Sequence, residues 1–228
     1  MALSVNLKKA VWFSIILLLA VTLFGCAWSR PKQEKTAREL ADEAMEALRD
    51  KDYRKTIESF EKLKDWYPFS QYAILAELKL GDAHYFRKEY EEAVFAYEQF
   101  ESLHPKNEAV PYVVYQIGRC HFDRLKSIDR DQTMARDAAR TFERLIRNHP
   151  GSPFSEKAAE HIRICKKSLA EHDFYVGMFY YKSKHYKAAL ERFKTVLKSY
   201  PDLGVHYKAI QYVALCRDRI ENSDSGGK

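Results

Sequence analysis

The sequence predicts an all-α fold: a solenoid of about five stacked helix pairs, with one long helix joining the third repeat to the fourth. Two observations predict it. Residues that break helices are scarce in the 228-residue chain, with 8 Gly and 7 Pro, whereas Ala, Leu, Glu, Lys and Arg are abundant. In addition, small and aromatic residues recur at fixed distances before four prolines, as expected of a repeat array.

Each of the first four repeats ends at a proline, which cannot continue a helix and restricts the residue before it. These prolines are Pro68, Pro105, Pro150 and Pro201. Eight residues before each proline there is an aromatic residue: Phe60, Tyr97, Phe142 and Phe193. Twelve residues before each there is a small residue: Thr56, Ala93, Ala138 and Ala189.

A second small position lies on the preceding helix of each repeat. It is occupied by Ala44, Gly81, Gly118 and Gly177. Small residues let two helices cross closely, and an aromatic ring fills the gap beside them, which is the tetratricopeptide pattern. We expect an array over residues 36–221. Its repeats are predicted at about 36–68, 69–105, 106–150, 154–201 and, as a partial unit, 202–221.

Two spacings depart from the regular repeat. The third copy has eight extra residues, which predict a loop near Leu125 to Thr133, with Asp131 as the N-cap of a helix from Gln132 onward. The stretch from Pro150 to Gly177 is longer than its counterparts by about four helical turns. We therefore expect one long helix from about Phe154 to Lys184.

The N-terminus is typical of an exported lipoprotein. Residues 1–25 have a basic start and a short apolar run that ends at Gly25, as in a signal peptide. The following Cys26 is the predicted lipidation site, residues 26–35 a polar tether, and residues 222–228 a flexible tail. An uncleaved membrane anchor is the alternative, although the apolar run is short for a span of about 20 residues.

The sequence contains no constellation typical of an enzyme or of a cofactor or metal site. His161 and Cys165 could face the same side of a helix, but a metal site needs further ligands, so we interpret them as an exposed histidine and a small core cysteine. We expect Cys120, Cys165 and Cys216 to be buried thiols. The net charge of +6 is mild, and we expect no nucleic-acid partner.

The first helix of each pair is expected to line a peptide-binding surface. The projected residues are Arg38, Ala41, Met45, Leu48 and Arg49 in repeat one; Leu75, Leu78, Asp82, Tyr85 and Phe86 in repeat two; Tyr112, Tyr115, Arg119, Phe122 and Asp123 in repeat three; and Glu171, Phe174, Met178, Tyr181 and Lys182 in repeat four. Aromatic residues with a few charges favour an extended or helical peptide. The alternative is that about half of them only pack between repeats.

Several segments resemble the BamD family (YfiO/ComL-like), the tetratricopeptide lipoproteins of the outer-membrane β-barrel assembly machinery. They are Leu23-Phe24-Gly25-Cys26, Tyr67-Pro68-Phe69-Ser70-Gln71-Tyr72, Asp129-Arg130-Asp131 and Pro150-Gly151-Ser152-Pro153-Phe154. The resemblance implies a scaffold without cofactors that docks on the POTRA domains of BamA, alongside other lipoproteins of the complex. It also implies binding of unfolded β-barrel proteins.

The resemblance also implies a location and candidate contact residues. Lipid on Cys26 would hold the chain at the periplasmic face of the outer membrane. Substrate would contact repeats two and three, and the candidates there are Tyr85, Phe86, Tyr112, Tyr115 and Phe122. BamA would face the last two repeats, and the candidates there are Lys182, Lys208 and Arg219.

Two other classes of scaffold remain open. A tetratricopeptide lipoprotein could be the pilotin of a secretin, but a pilotin should lack the Tyr-Pro-Phe and Asp-Arg-Asp segments. A periplasmic regulator of envelope constriction usually adds a coiled coil, and no heptad run is present in the sequence.

Replacing Cys26 by Ala tests the lipid anchor. We expect the variant to leave the membrane fraction after cell fractionation, because it lacks the residue that carries the acyl chains. A variant that stays in the membrane fraction as fully as the parent protein would refute the anchor.

Overall fold

The computed structural model describes residues 34–225, together with Trp12. The predicted signal peptide, Cys26 and most of the tether therefore lie outside the described residues. The chain divides into two units, Met1–Thr36 and Ala37–Lys228, and the repeat array occupies the second. Residues 34–225 contain helices and no strand, which confirms the predicted all-α fold.

Nine helices follow one another along the array in the described residues. They are α1 (Ala37–Arg49), α2 (Tyr53–Trp66), α3 (Ala73–Phe86), α4 (Tyr90–Leu103), α5 (Val110–Phe122), α6 (Thr133–Asn148), α7 (Pro153–Lys182), α8 (Tyr186–Ser199) and α9 (His206–Ser225). Each helix packs on the next, and α5 also contacts α7. The array thus has four pairs, and α9 forms the first half of the predicted partial fifth.

In repeats two to four, the helices of a pair cross where a glycine faces a buried aromatic ring. A Cβ placed on Gly81 would lie 2.5 Å from Cε1 of Tyr97, and one on Gly177 would lie 2.7 Å from Cε1 of Phe193. Gly118 faces Phe142 in the same way. The predicted aromatic positions are fully buried: Phe60, Tyr97, Phe142 and Phe193 each have 0% exposure. The predicted close crossing is therefore confirmed.

The long helix α7 spans 30 residues and joins the third repeat to the fourth, as predicted. Pro153 occupies its first turn, and the side chain of Ser152 accepts a hydrogen bond from the amide of Phe154, which caps the helix. The first half of α7 packs into the core of repeat three, where Cys165 is buried. The second half packs into the core of repeat four through Phe174.

The predicted loop lies between α5 and α6, and its helix begins one residue later than expected. Gln132 occupies the N-cap position of α6, not Asp131. The carboxylate of Asp131 nevertheless accepts a hydrogen bond of 3.0 Å from the amide of Thr133. Asp131 thus accepts a hydrogen bond from an amide of the first turn, although it lies one residue before the N-cap.

This loop is held against α7 by side chains. Gln132 is 2% exposed, and its amide group donates to the carbonyl oxygens of Ser127 at 2.9 Å and Arg130 at 3.0 Å. The hydroxyl of Ser168 on α7 donates to Gln132 at 2.9 Å. Nδ1 of His172, also on α7, lies 2.6 Å from the carbonyl oxygen of Ile128. These contacts hold the loop against the middle of α7, and we call the contacts of Gln132 and His172 the brace on α7.

The last helix is longer than predicted. Helix α9 runs to Ser225, whereas the array was expected to end at residue 221 and a tail to begin at residue 222. Side-chain bonds support the extra turn: Asn222 donates to Asp218 at 3.1 Å, and Ser223 donates to the carbonyl oxygen of Ile220 at 2.7 Å. The predicted start of the tail is therefore corrected.

Replacing Gly118 by Ala should destabilise the protein, because the new Cβ would lie inside the contact distance of Phe142. Overpacking of this kind costs about 1–3 kcal/mol, which outweighs the intrinsic gain of Ala over Gly in a helix. Urea denaturation measures the change in unfolding free energy. Gly151→Ala is the matched control, since nothing lies within 4 Å of a Cβ there. Equal stability of the two variants would contradict the proposed crossing.

Candidate peptide-binding surface

Tyr85 and Phe86 form an aromatic cluster at the end of α3. Phe86 is 51% exposed, and its ring stacks on Tyr53 with a centroid distance of 5.3 Å. Tyr85 makes edge contacts with Phe86 at 5.6 Å and with Tyr90 at 5.8 Å. The predicted substrate residues Tyr85 and Phe86 thus lie together at the surface. They contact Tyr53 and Tyr90, the first residues of α2 and α4.

A polar network fixes Tyr85 to the next repeat. Its hydroxyl donates a hydrogen bond to the carboxylate of Asp123. The guanidinium of Arg119 donates to the Tyr85 hydroxyl at 2.9 Å and to Asp123 at 3.1 Å. Burial, followed by the bond to Asp123, raises the pKa of Tyr85, so its hydroxyl stays a donor at neutral pH. The aromatic cluster is therefore held in one orientation.

Asp82 does not line the surface as projected, because it is buried at 3% exposure. Its carboxylate accepts hydrogen bonds from the hydroxyls of Tyr97 at 2.7 Å and Tyr112 at 2.6 Å. The ammonium of Lys79 lies 2.6 Å from the other oxygen. The sequence carried a signal for this network: Tyr97 stands where the other repeats have Phe, and a buried Tyr hydroxyl needs a partner.

Tyr115 and His161 also differ from the sequence interpretation. Tyr115 is a core residue at 7% exposure, so it is corrected from a surface contact to a packing residue. His161 is half-buried, not exposed, and its Nε2 lies 3.1 Å from the Tyr115 hydroxyl. Its ring contacts Phe122 at 4.3 Å and Phe142 at 5.2 Å. His161 is therefore part of the packing between α5, α6 and α7.

The remaining substrate candidates are half-buried and do not form one continuous patch. Phe122 packs on His161 at the end of α5, next in sequence to Asp123. Tyr112 lies at the start of α5, where its ring contacts Phe154 of α7 at 5.4 Å. We call the pair Tyr85 and Phe86 the aromatic surface. A peptide that reached Tyr112 as well would have to extend along most of α5.

The residues expected to face BamA are exposed. Lys182 ends α7, and Lys208 and Arg219 lie on α9, about three helical turns apart on one face. None of the three side chains forms a hydrogen bond or ion pair with another described residue. Their charges are thus available to a partner that carries carboxylates.

The three cysteines among the described residues lie in the helical core. Cys120, Cys165 and Cys216 are buried and unpaired, as predicted. Burial raises the pKa of Cys120 to about 12 and that of Cys165 to about 11, which keeps both thiols protonated and unreactive. Among residues 34–225 no group of three His, Cys, Asp or Glu side chains could hold a metal ion. No helix in this range is long and apolar enough to cross a membrane.

The stacked helix pairs define a helical-repeat protein of the tetratricopeptide class. A match to a family model also identifies the family of the chain. The model of the YfiO family, described as outer membrane lipoproteins, matches residues 33–223, and the chain belongs to this family. The family resemblance seen in the sequence is thereby confirmed.

Individual relatives agree with the family match. The chain is 29% identical to the outer membrane protein assembly factor BamD of Vibrio cholerae, over 85% of this chain and 86% of the relative. It is 24% identical to BamD of Pasteurella multocida, over 97% and 89%. It is 25% identical to BamD of Rickettsia prowazekii, over 95% and 94%. The similarity therefore extends over nearly the whole length of both chains.

Acidification should destabilise the protein through His161. Burial, and then the nearby guanidinium of Arg119, lower the pKa of His161; Glu160 and Asp123 oppose this less strongly. As the pH falls, His161 therefore takes up a proton in the unfolded chain before it does so in the folded protein. The contribution of neutral His161 to the free energy of unfolding is fully present above about pH 6.5 and is lost as the pH falls through the pKa of the folded protein. Urea denaturation at several pH values measures the loss.

The variant His161→Phe should keep the aromatic packing and show a weaker loss of stability on acidification. His185→Gln, at an exposed histidine, is the matched control and should behave like the parent protein. A residual pH dependence is expected in all three proteins, because burial also lowers the pKa of His121. Identical pH dependence in His161→Phe and the parent would exclude this role of His161.

Proposed function

We propose that this protein is a non-catalytic lipoprotein scaffold of the β-barrel assembly complex of the outer membrane. The observation that carries the proposal is the family match over residues 33–223, together with relatives that are named outer membrane protein assembly factor BamD. The buried, protonated thiols and the solvent-facing aromatic and basic residues are consistent with binding and not with catalysis.

The C-terminal repeats would bind the POTRA domains of a BamA-type partner. Lys182, Lys208 and Arg219 support this assignment, because their exposed charges have no partner within the described part of the chain. Across an interface, unpaired basic residues favour a partner surface rich in carboxylates and speed up association. Other lipoproteins of the complex would attach elsewhere on the array.

The aromatic surface would bind unfolded β-barrel substrates. Aromatic side chains supply a large contact area with few rotatable bonds, and here Tyr85 is already fixed by Asp123 and Arg119. Phe86 offers its ring directly to solvent. An extended substrate could therefore bind without a rearrangement of the array.

The lipid on Cys26 would place the array at the periplasmic face of the outer membrane. The signal-like residues 1–25 and the polar residues that follow Cys26 support this location. Family membership favours the assembly scaffold over the two alternatives, the secretin pilotin and the regulator of envelope constriction.

Affinity purification of the full chain from native membranes, followed by mass spectrometry, tests the proposal. We expect a BamA-type protein in the eluate. Reversing the three basic charges (Lys182→Glu, Lys208→Glu and Arg219→Glu) should reduce BamA recovery at least about tenfold, as expected if each charge contributes about 0.5 kcal/mol or more.

The matched control reverses three other exposed basic residues without ion pairs: Arg49→Glu, Arg54→Glu and Lys106→Glu. It should recover BamA normally. Recovery of a secretin without BamA would overturn the assembly function in favour of a pilotin. Equal loss in both triple variants would overturn only the assignment of the C-terminal surface.

A further inference from the structure

Three large apolar side chains are exposed at one edge of the first two repeats. They are Trp66 at the end of α2, Phe69 in the turn that follows, and Leu103 at the end of α4, with exposed fractions of 52%, 100% and 65%. The ends of α2 and α4 are neighbours, because Lys64 and Leu103 line one groove. We call Trp66, Phe69 and Leu103 the apolar edge. Exposed apolar residues that lie together often mark an interaction site.

The repeat fold does not require apolar residues at these positions. Trp66 and Leu103 stand two residues before a repeat proline, where repeats three and four have Asn148 and Ser199. Phe69 directly follows its proline. The residues that follow the other three repeat prolines are Lys106, Gly151 and Asp202. The apolar character of this edge is therefore a property of the first two repeats and not of the tetratricopeptide pattern.

The predicted lipid tether enters the array at the same edge. Helices α1 and α2 pack together and are joined by a turn of only three residues, so they run antiparallel. The start of α1 at Ala37 therefore lies at the same end of the pair as Trp66. Cys26 precedes Ala37 by 11 residues, which span at most about 40 Å. Acyl chains on Cys26 would hold a membrane within this distance of the start of α1.

The last two repeats do not extend to this edge. A Cβ placed on Gly204, in the turn between α8 and α9, would lie 3.9 Å from Cε of Lys167 on α7. Lys167 stands 14 residues after Pro153, the first residue of α7, which corresponds to about 21 Å along the helix axis. The turn after the fourth repeat is thus set back along α7. A flat surface against the apolar edge would meet the first repeats before the last two.

The composition of the apolar edge suits the interface between water and a bilayer. Aromatic side chains, Trp above all, are enriched at the level of the lipid head groups, where an apolar ring and a polar tip are both accommodated. Beside the edge, the exposed Lys106 is offset by the exposed Asp65 and Glu108, so the contact does not require anionic lipid. The opposite edge carries the aromatic surface, and its turns at 50–52 and 87–89 contain only charged residues.

We propose that the apolar edge lies on the membrane surface, with Trp66, Phe69 and Leu103 inserted at the level of the lipid head groups. The inference rests on the lipid anchor of the proposed function and adds an orientation to it. Acyl chains alone leave a tethered array free to rotate, whereas inserted side chains fix the first repeats against the bilayer. The aromatic surface, at the opposite edge, then points away from the lipid.

Tryptophan fluorescence in vesicles with brominated acyl chains tests the proposal, because bromine quenches only rings that reach the bilayer. The lipidated chain is purified from membranes, and mass spectrometry verifies its anchor. It carries Trp28→Phe, which leaves Trp66 as the single Trp after the signal peptide. In phosphatidylcholine vesicles we expect Trp66 to lose emission when the lipid is brominated. Replacing Phe69 and Leu103 together by Ser should remove most of this loss.

Two controls locate the contact. Phe95→Ser removes an exposed ring of α4 that lies eight residues before Leu103, about 12 Å from the edge, and should leave the quenching of Trp66 unchanged. In the second control, Trp66→Phe is combined with Asp50→Trp, which moves the reporter to an exposed position at the opposite edge; no quenching should remain. Thermal denaturation and flotation with vesicles confirm that each variant is folded and anchored.

Failure of the inference is distinguishable from failure of the anchor. A chain that floats with the vesicles but shows equal Trp66 emission in brominated and unbrominated lipid would overturn the inference alone, and would assign the apolar edge to a polypeptide partner. Quenching that survives the Phe69→Ser and Leu103→Ser pair, or that is as strong for the reporter at position 50, would also overturn it. A chain without acyl groups on Cys26 would overturn the anchor and, with it, the inference.

Discussion

The array depends on one repeated contact, in which a small residue of the first helix faces an aromatic ring of the second. At Gly81, Gly118 and Gly177 no space remains for even a methyl group beside the ring. The helices can therefore approach closely, and each ring is removed from water completely. Burying one such side chain contributes about 1.5–3 kcal/mol, and neighbouring repeats complete this burial, so that adjacent repeats stabilise each other.

Much of this architecture was predictable from the sequence because its determinants are local. The distance from a proline to a small or aromatic residue fixes which helix faces meet, and α7 follows from a count of residues between Pro150 and Gly177. The turns between paired helices were less visible. Lys51, Lys88 and Lys184 adopt positive φ angles of 61°, 63° and 62°, a backbone conformation usually associated with glycine. Nothing in the identity of a lysine indicates it.

The candidate site was harder to predict, because exposure depends on contacts between distant residues. A helical projection placed Asp82 and Tyr115 on the surface, yet both are buried by partners from other helices. Asp82 is covered through Tyr97 and Tyr112, which are 15 and 30 residues away in sequence.

The brace on α7 has a mechanical consequence. A helix of 30 residues is about 45 Å long, and the Gln132 and His172 contacts fix the connecting loop near its midpoint. Both halves of the array are built onto this single rod. The length of α7 therefore sets the distance between the first three repeats and the last two.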